Sequence, residues 1–125
     1  MQKTVLLVED NTDLLELLVR SLCGRFKIVT ATDGLEALRL AGEVSPVLIV
    51  LDLMLPEMDG FQVCERLRQS PKTCNVPILI MTGLPGEFPR LAGLDCGGTA
   101  FITKPFQTAQ LVEKVKEMVS LGLPI

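Results

Sequence analysis

The chain has 125 residues, a formal net charge of −3 at pH 7, 48% hydrophobic residues and 22% charged residues. This length and composition are typical of one self-folding domain, and they argue against intrinsic disorder. The twelve Lys and Arg residues are scattered, so direct nucleic-acid binding is not expected. The absence of histidine excludes imidazole-based metal sites and catalytic triads.

The cysteines and the apolar runs predict where the protein is found. The four cysteines lack C-x-x-C spacing and are too few for a secreted disulfide scaffold: Cys23, Cys64, Cys74 and Cys96. The N-terminal residues do not resemble a signal peptide, and no apolar run approaches the length of a membrane span. We therefore expect a soluble cytoplasmic protein that does not contact the membrane.

Five short apolar runs predict five β-strands, and the segments between them have helical periodicity. The runs are Thr4–Val8, Ile28–Ala31, Val47–Leu51, Ile78–Met81 and Ala100–Thr103. The third run does not alternate with polar residues, which indicates a strand buried on both faces. Such strands are typical of a parallel sheet covered by helices on each side.

Periodic apolar residues predict helices after the first three strands and after the last. Two helix starts have the pattern of a capping box, Asp33 with Glu36 and Asp59 with Gln62. The segment after the fourth strand, residues 84–93, contains two prolines and two glycines, so we predict a short or irregular fourth helix there.

The alternation of strands and helices predicts a doubly wound α/β fold with a five-stranded parallel sheet. A flavodoxin-like strand order, 2-1-3-4-5, is common for this number of strands. We expect one domain over residues 1–121, with residues 122–125 as a tail or the start of a linker.

Polar and charged side chains follow four of the predicted strands where each strand ends. They are Glu9, Asp10, Asp52, Thr82 and Lys104, the last followed by Pro105. The carboxyl ends of parallel strands meet at one edge of the sheet, so these side chains should lie together. Converging carboxylates repel each other and would exclude an anionic ligand unless a divalent cation offset them, and hard oxygen ligands suit Mg²⁺, with Mn²⁺ as a substitute.

A carboxylate, a hydroxyl, an ammonium group and a hard cation around one point favour phosphoryl transfer to an aspartate. In this interpretation Asp52 attacks phosphorus, and Thr82 and Lys104 bind the remaining phosphoryl oxygens. The product would be an aspartyl phosphate.

Four segments closely resemble the receiver domains of bacterial two-component response regulators. They are VLLVEDN at 5–11, LDLMLPEMDG at 51–60, PILIMT at 77–82 and FITKPF at 101–106. The resemblance implies a phosphorelay switch rather than an enzyme, although such a domain assists its own phosphorylation and dephosphorylation. It also implies that Asp52 takes its phosphoryl group from the phosphohistidine of a sensor histidine kinase or a histidine phosphotransfer protein.

The resemblance also assigns roles at the metal and phosphoryl sites. It implies that Asp10 and Asp52 are direct Mg²⁺ ligands, that the backbone carbonyl of Met54 is a third ligand, and that Glu9 acts mostly through water. It further implies that Lys104 pairs with the phosphoryl group and that the peptide bond preceding Pro105 is cis. The cis form costs little free energy before proline. Thr82 and Phe101 resemble the family's switch pair.

The sequence departs from the family pattern at Gly83 and in the Pro- and Gly-rich stretch 84–99. We expect a homodimer or a downstream partner to bind through a surface formed by the fourth helix, the fifth strand and the last helix. The departing stretch includes the fourth helix, so this part of the surface should differ from the family pattern. We expect Met54, Gly83 and Leu84, which flank the crevice, to control solvent access and the lifetime of the phosphorylated state.

Two other functions also use some of these features. A phosphotransferase of the haloacid dehalogenase type also uses a strand-end aspartate with Mg²⁺, but it requires a second acid two residues later, where this chain has Met54. A phosphorylation-independent interaction domain would predict loss of site residues, and all of them are present.

Overall fold

The computed structural model describes residues 2–83 and 97–120. It contains one five-stranded parallel sheet with the order β2-β1-β3-β4-β5, as predicted. The strands are β1 (Thr4–Val8), β2 (Lys27–Ala31), β3 (Leu48–Asp52), β4 (Ile78–Thr82) and β5 (Ala100–Thr103). The described helices are α1 (Thr12–Leu22), α2 (Gly34–Val44), α3 (Gly60–Gln69) and α4 (Thr108–Ser120).

Both faces of the sheet are buried, which explains why the central strands do not alternate with polar residues. On one face, Leu7 and Val50 belong to a cluster that also includes buried residues of α1 and α4. On the other face, Leu6 and Ile49 pack in a second cluster with residues of α2 and α3. Neighbouring residues in one strand therefore serve opposite cores, and every position of β3 must be apolar except the last.

The two predicted capping boxes differ in the structure. At α3, Asp59 and Gln62 form the complete box. At α2, the Asp33 carboxylate accepts from the backbone N–H of Glu36 at 2.8 Å, but the Glu36 carboxylate accepts from Thr32 N at 3.0 Å. The Glu36 side chain thus reaches one residue further back, and only half of that box forms.

Some sequence predictions lie outside the described residues. They include the irregular fourth helix, most of the departing stretch and Leu84, and likewise the tail at 122–125. Among residues 2–83 and 97–120, no helix has the length and apolarity needed to cross a membrane.

Candidate phosphoacceptor site

The sheet brings the predicted site residues to one edge. Glu9 directly follows β1, and Asp52 and Thr82 are the final residues of β3 and β4. Lys104 follows β5, where its backbone N–H donates to the carbonyl of Thr82 at 2.6 Å. The strand order places β1 beside β3 and β3 beside β4, so residues far apart in sequence become neighbours.

Three carboxylates form an acidic cluster at this edge. Ligand oxygens of Glu9, Asp10 and Asp52 all lie within 4.8 Å of one another. Glu9 and Asp52 are each only 1% exposed, whereas Asp10 is open to solvent. Because one of the three carboxylates is exposed, a cation from solution can reach the cluster.

Lys104 bridges the two buried carboxylates. Its Nζ atom lies 2.8 Å from Glu9 Oε1 and 3.0 Å from Asp52 Oδ2. The Lys104 side chain is 25% exposed and is therefore less buried than either carboxylate. The sequence predicted that Lys104 would lie near Asp52, but the contact with Glu9 was not foreseen.

The proton affinities of the cluster reflect its burial. Desolvation, followed by the interaction with Asp52, raises the pKa of Glu9 from 4.5 to about 7, despite its bonds from Lys104 and Asn11. Burial on its own would lower the pKa of Lys104, but its hydrogen bonds to Glu9 and Asp52 raise the pKa above its usual value. Lys104 therefore remains an ammonium group at neutral pH.

The Asp52 carboxylate is oriented by two different donors. The backbone N–H of Met54 donates to Oδ1 at 2.9 Å, and Lys104 donates to Oδ2. The Met54 side chain points outward and is 57% exposed. The two carboxylate oxygens therefore have distinct surroundings before any ligand binds.

Two positioning residues were missed by the sequence reasoning. Asn11 caps α1 by accepting from Asp13 N and Leu14 N, and its own N–H donates to Glu9 Oε2 at 3.1 Å. Gly60 begins α3 and donates its N–H to Leu53 O at 2.9 Å. The polar residue before a helical pattern and the Asp-Gly pair at 59–60 were the available signals.

The remaining predicted residues surround this cluster. Thr82 is buried, and Phe101 is partly buried against the core formed with α2 and α3. The Lys104–Pro105 peptide bond is cis. Gly83 is exposed, and Lys104 and Gly83 line a pocket of about 520 Å³ together with Asn11, Leu14, Pro105 and Phe106.

A doubly wound sheet with an acidic cluster, a lysine and a buried threonine at its carboxyl edge defines the class of phosphoacceptor switch domains. The family model for the response regulator receiver domain matches residues 5–116. The chain belongs to this family, whose members act in two-component signal transduction. It is therefore a signalling domain, and neither the dehalogenase-like alternative nor the phosphorylation-independent one is favoured.

Similar proteins include two curated response regulators. The response regulator PleD of Caulobacter vibrioides is 36% identical over all of this chain and 28% of its own length. The alkaline phosphatase synthesis transcriptional regulatory protein PhoP of Bacillus subtilis is 39% identical over 95% of this chain and 49% of its own length. The chain thus spans half or less of these relatives.

A solved structure is similar over nearly its whole length. The receiver domain of the sensor histidine kinase PA1611 from Pseudomonas aeruginosa is 28% identical, with a TM-score of 0.84. The match covers 96% of this chain and 99% of that one. That structure has a magnesium ion coordinated in its active site cleft.

Proposed function

We propose that Asp52 is the phosphoacceptor of this domain and that its phosphorylation changes a partner-binding surface. The observation that carries this proposal is the setting of its carboxylate, which is buried in the acidic cluster with Met54 N at one oxygen and Lys104 Nζ at the other. A structural carboxylate would not need two further acids beside it, because their repulsion costs stability.

The donor set fits a divalent cation. Three carboxylates converge from the ends of two neighbouring strands, and hard oxygen ligands are those that Mg²⁺ prefers. Asp10, Asp52 and the Met54 carbonyl would hold Mg²⁺, with Glu9 acting through water and Mn²⁺ as a substitute. When bound, the cation offsets the negative charge of the carboxylates and of the transferred group.

The chain's own residues perform the rest of the transfer. A carboxylate oxygen of Asp52 forms the new bond to phosphorus as the bond from phosphorus to the donor nitrogen breaks, and the leaving imidazole of the partner keeps the electron pair and takes a proton. Lys104 and Thr82 bind phosphoryl oxygens, so the domain assists its own phosphorylation. The same groups hold the aspartyl phosphate while water attacks it.

The donor is a sensor histidine kinase or a histidine phosphotransfer protein in the cytoplasm. Thr82 and Phe101 form the switch: movement of the Thr82 hydroxyl toward the phosphoryl group lets the Phe101 ring turn inward. The surface that responds includes β5 and α4, where a second copy or a downstream partner binds. PhoP is a transcriptional regulatory protein. In the present chain we assign the receiver domain to residues 1–121 and expect this domain not to contact nucleic acid directly.

The proposal is tested with phosphoramidate, a small donor whose phosphorus–nitrogen bond mimics phosphohistidine. With Mg²⁺, the wild-type chain should gain one phosphoryl group by intact mass, and a chelator should prevent the gain. Asp10→Asn should need more Mg²⁺ for the same rate, whereas Asp59→Asn, which alters only the α3 cap, should need the same amount. Phosphorylation that is independent of both Mg²⁺ and Asp10 would contradict the proposal.

A further inference from the structure

At the opposite end of the sheet, Arg68 joins two separate segments of the chain. Its Nη1 atom donates to three carbonyls of the loop between α3 and β4, at 3.2, 3.2 and 2.6 Å, those of Thr73, Cys74 and Val76. Its Nε and Nη2 atoms donate to the carbonyl of Gly97 at 3.0 and 2.7 Å. The guanidinium thus ties the end of α3 to the residues just before β5.

Gly97 is shaped to accept this contact. Its φ of +110° lies in the region that favours glycine. A Cβ atom at this position would lie 2.6 Å from Arg68 Cγ, which is closer than real contacts allow. A larger residue here would therefore displace the arginine, and the two residues depend on each other.

Arg68 binds the residues just before β5, and β5 itself is only weakly held in the sheet. β5 has four residues, lies at the edge of the sheet, and contains no fully buried residue. Within the described residues, Thr99 also secures its start: the Thr99 N–H donates to Ile78 O at 2.8 Å, and the Thr99 hydroxyl accepts from Ile78 N at 3.0 Å and from Arg68 Nη2 at 3.5 Å. A slip of one residue would turn every side chain of β5 to the other face.

Lys104 directly follows this strand, so its position depends on how β5 is held. We propose that Arg68 is a positioning residue for phosphoryl transfer, which secures the start of β5 against β4 and thereby holds the Lys104 ammonium group beside Asp52. The inference rests on the proposed function of Asp52. It assigns a role in the chemistry to a side chain at the far end of the sheet.

The mechanism predicts a separation between two measurable quantities. Asp10 follows β1 and Asp52 ends β3, and these two strands pair with each other. The hydrogen bonds of Arg68 described above go instead to the loop between α3 and β4 and to Gly97. Loss of Arg68 should therefore lower the phosphorylation rate at saturating Mg²⁺ and leave the Mg²⁺ concentration for half-maximal rate unchanged. A defect in overall folding would not separate the two.

The variants are Arg68→Gln, which removes the charged fork, and Arg68→Lys, which keeps the charge but can reach fewer carbonyls. The matched control is Arg66→Gln, an exposed arginine of the same helix. Amide hydrogen exchange of residues 99–104 is measured without a phosphodonor, with β1 and β3 amides as the internal reference. Phosphorylation by phosphoramidate is then followed over a Mg²⁺ titration.

For Arg68→Gln, we expect exchange in β5 to be about tenfold faster and the saturating rate about tenfold lower, which corresponds to roughly 1.4 kcal/mol of lost hydrogen bonding. Arg68→Lys should lie between this variant and wild type, and it serves as the test if Arg68→Gln does not fold. Unchanged β5 exchange in the folded variants, or a changed Mg²⁺ requirement, would overturn the inference. Faster β5 exchange in Arg68→Gln, together with a wild-type chain that phosphoramidate does not phosphorylate, would instead refute the proposed function.

Discussion

At the scale of single residues, the main feature of the site is the pairing of one ammonium group, that of Lys104, with the carboxyl groups of Glu9 and Asp52. One ammonium group serves two buried carboxylates, at 2.8 and 3.0 Å. Burial of Glu9, followed by its interaction with Asp52, raises the pKa of Glu9 although Lys104 is its cationic partner. Without a divalent cation, the cluster therefore favours retention of a proton.

The raised pKa of Glu9 predicts how the metal-free protein responds to pH. In the unfolded chain Glu9 loses its proton near pH 4.5, whereas in the folded protein it keeps the proton until about pH 7. The stabilising contribution of the protonated residue is thus complete below pH 4.5 and is lost as pH rises through 7. Urea unfolding in the presence of a chelator should show this loss for wild type.

The matched variant is Glu9→Gln, which cannot titrate at this position. Its free energy of unfolding should lack the decrease between pH 4.5 and 7 that the wild-type protein shows. Parallel stability curves for the two proteins over this range would show that Glu9 does not keep its proton in the folded state.

The residue Met54 offers a second prediction, on the lifetime of the phosphorylated state. Its side chain is apolar and 57% exposed beside Asp52, so it cannot orient an attacking water molecule. Met54→Asn should accelerate decay of the aspartyl phosphate by about tenfold, below the 10²–10⁴-fold of a fully positioned catalytic group. Leu84→Glu should act in the same direction.

Decay is followed by loss of the phosphoryl mass after the donor is removed. Leu35→Asn is the control, because Leu35 is similarly exposed but lies at the start of α2, outside the site. Equal decay in wild type and both site variants would mean that water entering beside Gly83 sets the lifetime.

At the scale of elements, the start of α3 lies against the strand that carries Asp52. A Cβ atom on Gly60 would lie 2.5 Å from Leu53 Cα and 2.6 Å from the Asp52 carbonyl oxygen. Backbone atoms cannot move aside as a flexible side chain can. The absence of a side chain at Gly60 therefore permits the tight connection between β3 and α3.

This contact predicts opposite effects of the same substitution at two glycines. Gly60→Ala should lower the free energy of unfolding by about 1–3 kcal/mol through overpacking. Gly42→Ala, within α2 and with nothing within 4 Å of its Cβ position, should raise it by about 0.5–1 kcal/mol. Urea unfolding of both variants measures the difference, and a Gly60→Ala protein as stable as Gly42→Ala would refute the close-contact account.

Local sequence signals predicted most of the elements. Apolar runs located all five strands to within a residue. The signal was strongest for β1, β3 and β4, which are buried on both faces and apolar except at one end. The cap at α3 was predictable, but the half-formed box at α2 was not, because Glu36 had two backbone N–H groups within reach and bonds the more distant one. Asn11 was overlooked because its role needs the position of Glu9 as well.

At the scale of the whole molecule, the strand order determines which residues meet. The order of a doubly wound sheet gathered Glu9, Asp52 and Lys104, so their proximity followed from sequence once the fold was predicted. Two details required the three-dimensional structure: the bond from Lys104 to Glu9, and the contacts of Arg68 with Gly97. The first joins residues 95 positions apart and the second joins residues 29 positions apart, so no local sequence pattern encodes either contact.

Asp52 alone should receive the phosphoryl group. The most direct measurement is reductive trapping with borohydride after phosphorylation by phosphoramidate and Mg²⁺, followed by peptide mass spectrometry. Borohydride converts a phosphorylated aspartate to homoserine, so we predict homoserine at position 52 only, and none anywhere in Asp52→Asn. Homoserine at position 10 or 59 in wild type, or undiminished phosphorylation of Asp52→Asn, would contradict the account.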